Sequence, residues 1–145
     1  MSGCGQSTPT IADYITLEKG ETRKLTYEDY TELSSESVLS LEQTLRLFDA
    51  MNWNGDAFLY FPITPVNLLQ IAYEGDNRFL VEITNDSEDM IYHQKYASRQ
   101  ECREIISAMF ERDVLNTEFM SNFYKVPIKS KTLDDVMNQE RNASR

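Results

Sequence analysis

Residues 68–84 read LLQIAYEGDNRFLVEIT, and this stretch decides the fold. Two apolar runs flank Glu74-Gly75-Asp76-Asn77, a composition typical of a hairpin turn. In the second arm Phe79, Val81 and Ile83 alternate with Leu80 and Glu82, the period-two pattern of a strand with one face buried. A link this short cannot carry a parallel crossover, which takes about a dozen residues or more, so the arms pair antiparallel.

The pattern extends outward from this hairpin. Residues 56–63, DAFLYFPI, form an aromatic-rich strand stopped by Pro62 and Pro65. Residues 85–89, NDSED, make a second and strongly acidic turn, followed by a strand over 90–96 with Met90, Tyr92 and Tyr96 on one face. Short links between successive strands predict a meander. Nearer the start, residues 1–10 read as a flexible tail rich in Gly, Ser, Thr and Pro. Ile11, Tyr14, Ile15 and Leu17 suggest a short strand that residues 18–21 turn back onto 22–27. Residues 28–39 are acidic and Ser-rich and read as a loop.

Two helices have both a start signal and an apolar face. Ser40 with Gln43 fits a capping box, ahead of Leu41, Thr44, Leu45, Leu47, Phe48 and Met51 at helical spacing. Ser98 with Glu101 fits another, opening a helix over 99–112. There Cys102, Ile105, Ile106, Met109 and Phe110 form the apolar stripe, against Arg103, Glu104, Glu111 and Arg112 on the other face. A shorter helix begins at Thr117 with Phe119, Met120 and Phe123, and Pro127 ends that region. A last amphipathic piece over 133–137 runs into a polar C-terminal tail at 138–145. The expectation is an α+β fold, an antiparallel meander with its helices packed on one face. Residues 11–137 make up this two-layer single domain, a usual size for one core.

The 145 residues carry 24 acidic and 14 basic side chains, a net charge of −10. Residues 1–100 hold 16 of the acidic and 7 of the basic groups, so the negative field belongs mainly to that part of the chain. Such a field repels phosphate backbones and anionic lipid and attracts basic partners. No nucleic acid and no membrane are expected as partners. No apolar run approaches the ~20 residues of a membrane span, and the opening MSGCGQSTPT lacks the apolar core of a secretory signal. The expected location is the cytoplasm, where Cys4 and Cys102 make no disulfide framework.

Signals for chemistry are sparse. His93 is the single histidine, without a second histidine or a cysteine pair at ligand spacing, so no metal site is expected. Asp86, Glu88 and Asp89 lack the spacing of a calcium loop and read as a solvated turn. No nucleophile-elbow, Walker or dinucleotide motif is present. The expectation is a protein that is not an enzyme and takes no cofactor. Aromatics beside carboxylates are the more informative class, because they suit a surface that recognises a basic protein. Tyr27, Glu28, Asp29, Tyr30 and Glu32 lie together in one acidic stretch, Trp53 sits between Asn52 and Asn54, and Asp86, Glu88 and Asp89 fill the second turn. These nine are the candidate partner-binding residues.

From Trp53 through DAFLYFPI and LLQIAYEGDNRFLVEI to KYASRQECREIISAMF the order is a meander followed by a closing helix. Over about residues 40–112 this pattern resembles the small immunity proteins of bacterial polymorphic toxin systems. The resemblance is one of architecture and implies an acidic inhibitor that covers the active site of a cognate toxin, with no turnover. A basic toxin domain is then the expected partner. The alternatives are a secretion chaperone holding an effector segment along a sheet edge, and a hydrolase using paired carboxylates.

Overall fold

The computed structural model describes residues 22–28, 37–53, 57–64, 67–84, 90–111 and 117–143. Its centre is the meander that the hairpin at 68–84 predicts. Strands β3 (Phe58–Thr64), β4 (Asn67–Gly75), β5 (Arg78–Ile83) and β6 (Ile91–Ala97) pair in sequence, each antiparallel to the next. The turn between β4 and β5 places Asp76 at φ 55° and Asn77 at φ 59°, the doubly left-handed geometry whose twist suits a two-residue hairpin.

Beyond the meander, β1 (Thr22–Glu28) adds to β3 and β2 (Ser37–Ser40) adds to β1, while β7 (Tyr124–Pro127) adds to β6. Among the described residues the sheet has seven strands in the order β2-β1-β3-β4-β5-β6-β7. Two of these correct the sequence reading. Residues 37–40 are a strand where a loop is expected, held because Leu39 is fully buried opposite Arg23 of β1. Residues 124–127 are an edge strand where the sequence shows only a stop at Pro127. Proline is tolerated there because an edge strand can do without one backbone donor. The expected strand at 11–17 lies outside the described residues, as do the tail at 1–10 and the turn at 85–89.

Helix α1 (Leu41–Ala50) follows β2 directly, α2 (Arg99–Glu111) follows β6, and α3 (Thr117–Met120) is a single turn. Both expected capping boxes are formed. Gln43 N donates to Ser40 Oγ at 3.2 Å while Ser40 N donates to Gln43 Oε1 at 2.8 Å. Glu101 N donates to Ser98 Oγ at 3.1 Å and Ser98 N to Glu101 Oε1 at 3.0 Å. Each such cap is worth about 1 kcal/mol of helix stability. A third, between Thr132 and Asp135, opens α4 (Leu133–Ala143). Helix α4 therefore continues to 143 through residues read from sequence as a polar tail.

Register divides the sheet into two faces. Tyr27, Leu59, Ile71, Val81 and their alternates point to one side, where α1 and α2 cover them. The stripe of α2 closes this core, with Cys102, Ile106 and Met109 fully buried. Arg23 Nε donates to the Met109 carbonyl at 2.6 Å, and Arg103 of α2 pairs with Asp49 of α1. On the other side, α4 packs Leu133 and Val136 against Val126, with Leu80, Tyr96 and Tyr124 around them. Three helices thus form the layer expected on one face, and α4 adds a small cap over the β5–β7 end of the opposite face. Among the described residues no helix is long and apolar enough to cross a membrane.

Candidate functional site

The alternation in DAFLYFPI sends two sets of aromatic side chains in opposite directions. Leu59 and Phe61 enter the helix-covered core, fully buried. Phe58 and Tyr60 point to the second face, half-buried, with their rings stacked at 5.7 Å between centroids and 21° between planes. Opposite them in register lie Glu28 and Thr26 on β1, and Ala72 and Gln70 on β4. Leu68 faces Pro62 on the same side. Phe58, Tyr60 and Leu68 belong to neither packed cluster, so α4 stops short of them. Among the described residues this half of the second face is a shallow aromatic surface with no helix over it.

Carboxylates border it. Glu28 closes β1 beside Phe58. Glu82 lies next to Gln70 across β4–β5, and burial raises its pKa above the usual carboxylate value, partly offset by the Gln94 amide that donates to it at 3.3 Å. A half-buried carboxylate facing an open aromatic surface is a ready acceptor for a basic side chain, whose charge would replace lost water.

The residues nominated from sequence do not assemble into one surface. Tyr27 corrects the expectation: at 2% exposure it is a core residue, because its position in β1 turns it toward Leu59 and the helices. Glu28, the other described residue of that acidic stretch, is turned to the opposite face. Asp29, Tyr30 and Glu32 lie outside the described residues, as do Asp86, Glu88 and Asp89. Trp53 is half-buried and tethered rather than free to reach outward. Its Nε1 donates to the Phe48 carbonyl at 2.9 Å, and its ring meets Phe48 at 5.3 Å and Phe79 edge-on at 5.1 Å. The Phe58–Tyr60 surface was legible as an aromatic strand, but the sequence did not say which face the helices would cover.

A separate cavity of about 770 Å³ wraps the β7 edge, from Met120 and Phe123 by α3 to Glu140 of α4. His93 and Lys125, register partners across β6 and β7, both line it. The Nδ1 atom of His93 is shielded from solvent and has no hydrogen-bond partner among the described residues. Burial, and secondarily the charge of Lys125, lower the imidazole pKa below its ordinary value.

Other reactive groups are quiet. Burial pushes the Cys102 thiol up to about 12, which keeps it in the weakly nucleophilic protonated form at neutral pH. Among the described residues no group of three or more His, Cys, Asp or Glu side chains is placed to hold a metal ion. Comparison of the chain with family models, with curated proteins and with solved structures finds no match in any of the three.

Proposed function

We propose that this chain is an acidic protein-binding module of the immunity-protein kind, which neutralises a basic toxin domain by occluding its active site. The observation that carries the reading is the Phe58–Tyr60 surface, aromatic at its centre and bordered by Glu28 and Glu82, on a chain of net charge −10. Aromatic side chains on rigid strands supply contact area at little cost in conformational entropy, and bordering carboxylates steer a cationic partner and exclude wrong ones. The strands that carry this surface are backed by the main core, so it meets a partner already organised. The mechanism is steric occlusion, with no bond made or broken.

The test is to co-express the chain with the protein encoded beside its gene. A stable one-to-one complex that relieves that protein's toxicity supports the reading. Two proteins that elute separately, with toxicity unrelieved, overturn it. Charge reversal at Glu28 should then slow association several-fold at low salt and much less above about 0.5 M, where screening acts within a few ångströms.

A further inference from the structure

The cavity at the β7 edge lies away from the aromatic surface and takes no part in the proposed occlusion. Among the described residues its lining combines an ammonium, an imidazole, a carboxylate and an apolar wall. Lys125 and His93 sit opposite each other across β6 and β7 and point to the same side of the sheet. Phe123 and Met120 supply the apolar wall. His93 Nδ1 is shielded and has no partner among the described residues. A shielded nitrogen without a partner is tolerated more readily as a lone pair than as an orphaned N–H, so the neutral ring carries its proton on Nε2. That leaves one N–H donor beside one ammonium, a pair that suits the two oxygens of a carboxylate. The Glu140 carboxylate on the α4 side opposes a second negative charge.

We propose that this cavity binds a small monocarboxylate with an apolar body, its carboxylate between Lys125 and His93 and its body against Phe123 and Met120. Phosphate-type dianions are disfavoured by Glu140, and cations by Lys125. The proposal is independent of any protein partner.

The single histidine gives one resolved imidazole signal, which makes NMR the natural readout. Phenylacetate titrated into the full chain should shift His93 and Phe123 together and saturably, with a dissociation constant on the order of 1 mM. Phenethylamine, the same ring with an ammonium, should leave both signals in place, and phenyl phosphate should bind more weakly than phenylacetate. Lys125→Met should weaken phenylacetate at least tenfold while the circular-dichroism spectrum and melting temperature stay unchanged. His93→Gln, which keeps a donor without the ring, should weaken it less. Non-saturating shifts, equal response to the amine, or undiminished binding by a folded Lys125→Met variant would each overturn the assignment.

Discussion

On one face of the sheet Leu59, Phe61, Leu69, Ile71, Phe79 and Val81 are sealed in the core with α1 and α2. On the other, Phe58, Tyr60, Leu68 and Ala72 of two of the same strands are half-buried and join neither packed cluster. Within β3 both faces carry aromatic or aliphatic side chains, Leu59 and Phe61 on one and Phe58 and Tyr60 on the other, so residue type there does not say which is covered. Topology does: α1 and α2 both land on the first face, and α4 reaches only the β5–β7 end of the second. An aromatic surface over which no described helix lies is more informative about binding than the scattered exposed residues every protein carries.

The largest effect that sharpens this contrast is a pair of truncations. Phe79 touches Phe48, Trp53 and Tyr73, at 5.6, 5.1 and 5.3 Å between ring centroids, so Phe79→Ala should cost about 3–5 kcal/mol of unfolding free energy. Tyr60 lies in neither packed cluster, so Tyr60→Ala should cost about 1 kcal/mol, near the centre of the distribution for point substitutions. Urea denaturation of both variants checks it. Equal costs would mean that the second face is covered as the first is.

A smaller contrast concerns two carboxylates whose pKa values are displaced in opposite directions. Glu82, on the second face, has its pKa raised by burial, so its protonated form is the one folding favours. That stabilisation is present below the unfolded value near 4.5 and is lost as pH rises through the folded pKa. Glu82→Gln should therefore change little near pH 4 and stabilise at pH 7. Glu101, in the first turn of α2, has its pKa lowered, first by the Ser98 backbone N–H and then by Lys95. Its contribution is present above the unfolded value and lost as pH falls through the folded one, so Glu101→Gln should destabilise at pH 7 and become neutral in acid. Thermal melts at both pH values read the two signs. A stabilising Glu101→Gln or a destabilising Glu82→Gln at pH 7 would contradict the assigned environments.

The smallest effect belongs to His93. Its pKa lies below the ordinary 6.5 through burial and then Lys125. The unfolded chain therefore takes up the proton first, and stability falls as pH drops from 6.5 toward the folded value. His93→Gln should flatten that slope. An NMR titration of the wild-type imidazole with a midpoint at or above 6.5 would contradict it.

How far the sequence carried this account depended on how local each signal is. The meander and α2 were legible because hairpin turns, period-two alternation and capping boxes are written within a few residues of each other. Strands β2 and β7 were not, since a four-residue strand has too few alternations to show a period and is held by partners 12 or more positions away. The cap of α4 escaped notice because Asp135 stands where Glu or Gln marks the usual box. The candidate site was harder still. Tyr27 belongs to an acidic run that resembles a surface, yet β1 pairing turns it inward. Phe58 and Tyr60 became candidates only once the helix-bearing face was fixed, because alternation defines two faces without labelling them.

The central claim is that the uncovered half of the second face is the contact surface, and its most direct test is affinity. The chain with Phe58→Ala and Tyr60→Ala should bind the protein encoded beside its gene at least roughly 30-fold more weakly, equivalent to about 2 kcal/mol for a buried aromatic anchor. Trp53→Phe, which keeps an aromatic ring in the core contact and removes the indole donor, should leave affinity nearly unchanged in the same calorimetric titration. If the double variant remains folded and binds as tightly as wild type, the contact surface is not the Phe58–Tyr60 face.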